Sequence, residues 1–237
     1  MEDVPERVLV VSAHPDDVDF GAAGTVARWT DAGAHVTYCV VTDGDAGGSD
    51  PSISRDEMRT IRRREQEAAA EEVGVKDVIW LGYPDGRVEA SMDLRRDIAR
   101  AIRQERPLRV LAPSPERMWE RIFASHPDHL AVGEASICAV YPDARNPFAF
   151  PELAAAGLEA HTVPEVWLMA SPEPDVFVDV TDQLDRKLAA LRRHESQSVD
   201  TDGGLELRLR GFLSEYGRRA GWVDGRLAEA YRRVVTA

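Results

Sequence analysis

Basic side chains are scarce in this chain: 29 Lys and Arg stand against 42 Asp and Glu, for a formal charge of −13. A nucleic-acid surface needs clustered Lys and Arg to displace counterions from phosphates, so the balance speaks against that partner. The same acidity favours solubility and a substrate that is neutral or held by a metal. Cysteine is scarcer still. Cys39 and Cys138 each lie inside an apolar stretch, where they read as buried reduced thiols, and two of them make no disulfide scaffold. No run approaches the ~18 apolar residues of a membrane helix, and the acidic residues 1–7 lack the apolar stretch of a secretory signal. These absences predict a cytoplasmic protein with neither nucleic acid nor membrane as partner. A dinucleotide fingerprint is missing too, because Gly21 and Gly24 do not have the G-x-G-x-x-G spacing.

What is present alternates between two periods. Short β-branched runs at 8–11, 35–42, 78–81, 108–112, 166–169 and 176–180 read as strands, and amphipathic stretches at 18–33, 55–73, 92–104, 130–141 and 187–193 read as helices. Alternation of that kind predicts right-handed βαβ units. The expected fold class is α/β, a Rossmann-like, mostly parallel sheet with helices on both faces. At 237 residues the chain suits a single domain, 1–237, and residues 205–237 read as a C-terminal extension of two short helices around Gly221 and Gly225. A homo-oligomer is compatible with this reading.

Chemistry concentrates in two places. The buried-looking run 8–11 delivers His14, Asp16 and Asp17 within four residues of one another, and the run 108–112 leads through a longer loop to Ser125-His126-Pro127-Asp128-His129. Open α/β sheets bind ligands at the carboxyl ends of their strands. One such tripeptide alone could be a turn in which Asp16 or Asp17 caps a helix. Two His-Pro-Asp tripeptides, both at strand-to-helix junctions, read as one metal site.

The pair Ala13 to Asp17 and His126 to His129 resembles the motifs of the LmbE-like, or PIG-L, deacetylases. Arg62 and Glu65 are similar to that family's Arg-x-x-Glu helix, 82–86 to its Gly-x-x-Asp-Gly loop, and 187–197, with His194, Ser196 and Gln197, to its C-terminal helix end. The resemblance implies a hydrolase that removes acetyl groups from an N-acetylglucosamine-type amino sugar, a small-molecule substrate. It implies Zn2+ held by His14, Asp17 and His129, and Fe2+ is an alternative in the cell because two imidazoles and a carboxylate suit both. Asp16 is then the general base, His126 the acid or oxyanion stabiliser, and Asp128 the group that orients His126. The assignment of Asp17 to the metal and Asp16 to the base rests on the resemblance, since spacing alone does not divide them. Arg62 and Asp85 are expected to meet substrate hydroxyls, although Pro84-Asp85-Gly86 is also plain turn chemistry.

One departure stands out. The mycothiol-pathway members carry a tyrosine two residues before His-Pro-Asp-His, where this chain has Ala124, with Tyr83 or Tyr141 as candidates to replace it. A related amidase acting on a thiol or sugar conjugate is therefore the alternative, and a non-catalytic metal- or sugar-binding module the third reading. The Gly-, Ser- and Asp-rich loop at 43–54 is expected to border the pocket or cover it, and 142–163 to shape it. His161 reads as an ordinary loop histidine, and His194 as a partner of the last carbonyls of its helix.

Overall fold

The computed structural model describes residues 4–48, 50–200, 203–223 and 225–237. Residues 1–3 of the acidic start and Ser49 of the 43–54 loop lie outside them. No helix among the described residues is long and apolar enough to cross a membrane.

The chain opens with strand β1 (Arg7–Ser12), then helices α1 (Asp17–Gly21) and α2 (Ala23–Asp31), then β2 (His35–Thr42). The helix expected over 18–33 is thus two helices, broken at Ala22, whose backbone is non-helical (φ −146°). Next come α3 (Arg55–Glu72), β3 (Asp77–Tyr83), α4 (Met92–Glu105) and β4 (Arg109–Pro113). Serines start the two helices. The side chains of Ser54 and Ser91 accept from the Glu57 and Leu94 amides, which satisfies donors that a helix N-terminus leaves free. A 3-10 segment, Trp119–Ser125, precedes α5 (Pro127–Cys138), and α6 (Pro151–Ala155), β5 (Glu165–Met169), β6 (Val176–Asp179) and α7 (Leu184–Arg192) follow.

The strands form one sheet in the order β3-β2-β1-β4-β5, continued by two more. The five are parallel. From β1 the chain steps outward through β2 to β3, then returns to lay β4 on the other side of β1. The loops after β1 and β4 therefore leave in opposite directions from adjacent strand ends, and they open the crevice where such sheets bind ligands.

Both faces are covered, which explains why the strands read as continuous apolar runs. Val8, Val10, Val36, Tyr38 and Val40 pack with α2, α3 and α7 on one face. Leu9, Val11, Cys39 and Val41 pack with α4 and α5 on the other. The amphipathic faces of the helices are the counterparts of this alternation.

The C-terminal expectation needs correction. The described residues of 205–237 hold one helix, α8 (Leu205–Arg219), and a strand, β7 (Ala228–Val235), with no second helix among them. β7 inserts antiparallel between β5 and β6 and completes the sheet, so this segment belongs to the core of the fold. Its anchor is Glu229, 2% exposed, which accepts from the Gly24 and Thr25 amides, from Tyr231 and from the fully buried Lys187 of α7. The carboxylate bonds the amides at the start of α2, where a negative charge is favourable.

Candidate metal centre

The two His-Pro-Asp tripeptides meet across the β1–β4 crevice. In the second, His126 is the N-cap of α5 and its Nδ1 accepts from the Asp128 amide at 3.2 Å, while Pro127 opens the helix without needing a donor. Asp128 and His129 are thereby fixed on the first turn. In the first tripeptide Asp16 takes a left-handed backbone (φ 87°) and Asp17 opens α1. An aspartate tolerates that conformation better than most residues, and a residue held there signals an over-determined loop.

Here α3 does the holding. Arg62 donates to the Pro15 carbonyl at 2.6 Å and to the Asp16 carboxylate at 3.0 Å. Gln66, one turn on, accepts from the Asp16 amide at 2.8 Å and donates to Asp19. His194 takes the same Asp19 oxygen at 2.8 Å.

Three side chains converge. His14 Nδ1 lies 3.2 Å from His129 Nε2, His129 Nε2 lies 3.0 Å from Asp17 Oδ1, and His14 Nδ1 lies 3.5 Å from Asp17 Oδ2. The far nitrogens are already committed. His129 Nδ1 faces the Ala124 carbonyl at 3.2 Å, and His14 Nε2 faces both Asp128 and Asp85 at 3.2 Å. In the neutral form that would hold a metal, donation outward leaves the lone pair of each imidazole on its inner nitrogen, beside the Asp17 carboxylate. Donors on a tetrahedral zinc with bonds of ~2.0–2.1 Å stand about 3.3 Å apart, so these residues fit a metal ion. A carboxylate behind a ligating histidine is the usual support of such a centre, and His14 has two.

The electrostatics follow from the crowding of carboxylates. Burial opposes charge on His14, but hydrogen bonds to Asp128, Asp17 and Asp85 outweigh it and raise the imidazole to about 12. Burial works against Asp17 as well, yet the His129 charge and both histidine bonds hold it well below the usual carboxylate range. Asp16 goes the other way: burial first, and the Asp17 charge second, push it up to about 6 against the pull of Arg62. His126 is lowered, by burial and then by the His14 charge. With Nδ1 accepting from a backbone amide, neutral His126 carries its proton on Nε2.

Several expected roles are placed differently. Asp128 orients His14, not His126: its carboxylate is tied to His14 Nε2 and to the Gly86 and Val88 amides, and only its backbone reaches His126. Arg62 and Asp85 make internal contacts. Arg62 is 4% exposed and spans Pro15, Asp16 and the Gly44 carbonyl, while Asp85 joins His14 to the Ala46 amide. Neither lines the adjoining cavity.

The start of the 43–54 loop is a fixed wall: Asp43 and Asp45 are buried and held by Arg63, Arg59 and Arg55. Three arginines of α3 thus clamp this loop. A Cβ on Gly44, whose φ is 63°, would strike the Arg62 guanidinium, so the loop closes over Arg62 only because glycine stands there. Tyr83 donates to Asp97, and Tyr141 is 59% exposed. Neither lines the cavity at Ala124. His161 bonds the Pro107 carbonyl, far from the centre in role as expected.

Sequence reasoning missed Gln66, Asp19 and Glu229. Gln66 lies one helical turn after Arg62, which is the signal that could have found it. Glu65 was singled out, and it takes the Ser196 amide and hydroxyl at 2.7 Å, fastening α3 to the 194–197 segment.

Fold and site together define the class: an α/β protein with a candidate two-histidine, one-carboxylate centre at the carboxyl ends of its parallel strands. Residues 9–140 match the family described as PIG-L: GlcNAc-PI de-N-acetylase. Diacetylchitobiose deacetylase of Thermococcus kodakarensis is 36% identical over 230 residues, covering 97% of this chain and 83% of that protein. A probable N-acetyl-alpha-D-glucosaminyl L-malate deacetylase 2 of Bacillus cereus is 35% identical, covering 81% of this chain and 84% of its own length. Among solved structures, the N,N'-diacetylchitobiose deacetylase from Pyrococcus horikoshii superposes with a TM-score of 0.88 at 33% identity, over 98% of this chain and 84% of that one. The chain belongs to the PIG-L deacetylase family.

Proposed function

We propose that this protein is a zinc-dependent hydrolase that removes the acetyl group from an N-acetylglucosamine-type amino sugar. The observation that carries the reading is the triangle of His14 Nδ1, Asp17 and His129 Nε2 at 3.0 to 3.5 Å, with Asp16 beside it. His14, Asp17 and His129 would hold the ion, with Fe2+ as the alternative occupant in the cell. When bound, the metal polarises the amide carbonyl and acidifies water.

The chain's own residues do the rest. Asp16, raised to about 6, is poised to accept the proton of the attacking water near neutral pH. Arg62 and the Gln66 side chain fix its direction. His126, neutral with its proton on Nε2, donates a hydrogen bond to the oxyanion as the acyl carbon becomes tetrahedral. The proton taken by Asp16 then passes to the leaving amine, and Asp128 and Asp85 keep His14 in the tautomer that presents Nδ1.

Acetate release from N-acetylated amino sugars by the zinc-loaded chain is the test. Asp16→Asn is expected to keep one metal per chain and lose about 100-fold or more in kcat, as removal of a general base does. Near-normal turnover in that variant would remove Asp16 from the role.

A further inference from the structure

The space beside the metal triangle is larger and more apolar than acetyl removal requires. Asp17 and His129 form part of the wall of a cavity of about 470 Å3. Much of the remaining wall is Phe20, Met118, Phe123, Met169, Leu209 and Phe212. Its arginines and Glu229 already have partners. The Arg121 guanidinium lies over the Phe212 ring at 4.1 Å, Arg208 donates to the Val199 carbonyl, and Glu229 is held by Lys187 and two backbone amides. At the mouth, Phe20 is 41% and Phe123 71% exposed. A second sugar ring placed here would set many of its hydroxyls against apolar side chains, which is unfavourable, whereas an apolar group would cover side chains now left in water.

From this wall, and resting on the amino-sugar deacylase reading above, we propose that the natural substrate carries an alkyl or aryl group, on its acyl side or as its aglycone, and that this cavity takes it. The reaction is the same hydrolysis. Water adds its oxygen to the acyl carbon, the C–N bond breaks, and a water proton goes to the leaving amine, giving a carboxylate and a free amino sugar.

The test compares kcat/KM of the zinc-loaded full chain on methyl N-acetylglucosaminide with two arms. One lengthens the acyl group from acetyl to octanoyl, and the other changes the aglycone from methyl to octyl or phenyl. Each methylene buried contributes up to about fourfold, so a gain of at least roughly tenfold is expected in one arm, and that arm identifies the source. Phe123→Ser and Leu209→Ser should lower the ratio of the apolar to the methyl substrate.

Flat arms, or N,N'-diacetylchitobiose preferred over every apolar substrate, would overturn the proposal. If no acetylated sugar is turned over at all, the deacetylase reading fails, and calorimetry still reads the cavity. Octyl against methyl glucosaminide, or octanoate against acetate, should then differ at least tenfold in Kd in one of the two pairs, and equal affinities in both pairs would overturn the inference independently.

Discussion

Loading the metal-free chain with zinc should expel protons, and the number is set by the carboxylates around His14. Asp128 and Asp85 face its Nε2 at 3.2 Å and Asp17 its Nδ1 at 3.5 Å. Together they raise the imidazole to about 12 despite its burial, so at neutral pH both ring nitrogens carry protons. A metal on Nδ1 must displace one of them. His129 is also raised, against the effect of burial, by Asp17, so release between one and two protons per zinc is expected.

Protons therefore compete with metal, and affinity rises with pH. One proton corresponds to ~1.36 kcal/mol, a factor of ten, per pH unit, or about 100-fold between pH 6 and 8. The sign for stability is the complement. A folded-state value above the ordinary 6.5 means that charged His14 stabilises the metal-free fold fully below pH 6.5, and that this contribution is lost as pH rises towards 12. The protection given by zinc should accordingly grow with pH. Calorimetric titrations in two buffers of different ionisation enthalpy count the protons. One-to-one binding with identical enthalpies in both buffers would refute the reasoning, since it would mean His14 is neutral before the metal arrives. Asp128→Asn should weaken zinc by about 10- to 100-fold, the usual effect of removing a carboxylate behind a ligating histidine, and should reduce the proton count.

Three further outcomes are expected. After dialysis against a weak chelator, wild type should keep about one metal per chain and His129→Ala little, by elemental analysis. Metal retained equally by the two would place the centre elsewhere. Lys187→Met strips the positive charge from beside buried Glu229 and should cost about 3–5 kcal/mol in denaturant unfolding. Adding Glu229→Gln should recover part of that, and an unaffected single variant would show that β7 is anchored by packing alone. His194 is raised by its bond to Asp19, against the effect of burial, so its charge stabilises the fold fully below pH 6.5 and less as pH climbs through the folded value. The stability gap between wild type and His194→Gln should therefore narrow as pH rises, and a gap that widens would refute the pairing.

How far the sequence reveals the fold depends on whether an element's neighbours are local. The strands at 8–11 and 35–42 were legible because burial on both faces leaves an unbroken β-branched run. β7 was not. Its residues Ala228 to Val235 include Glu229, Arg232 and Arg233 and lack that signature, and the charge of Glu229 is tolerated only because Lys187, 42 positions earlier, meets it in the core. A strand whose buried face holds half of an ion pair has no local signal that separates it from a helix. The break at Ala22 was hidden similarly. Gly24 comes so close to Val180 of the β6 end that a Cβ would overlap its side chain, a constraint written in another part of the chain.

The site divides along the same line. Ligands packed into two tripeptides are local, and the switch in strand order brings the tripeptides together without further instruction. Their supports come from elsewhere, and for these, side-chain type alone misleads. Arg62 and Asp85 carry the hydrogen-bonding groups that sugar recognition would use, yet burial commits them to Asp16 and His14. Asp128 sits beside His126 in sequence, and the helix turns its carboxylate towards His14 instead. Each of these carboxylates and the guanidinium is thus committed to positioning the proposed metal ligands or the proposed base. Side chains in contact with the cavity, Phe20, Phe123 and Phe212 among them, are the ones left free to choose a substrate. On the function proposed above, specificity is accordingly to be sought in the apolar wall, while the polar cluster behind the triangle would set affinity for the metal and the direction of Asp16.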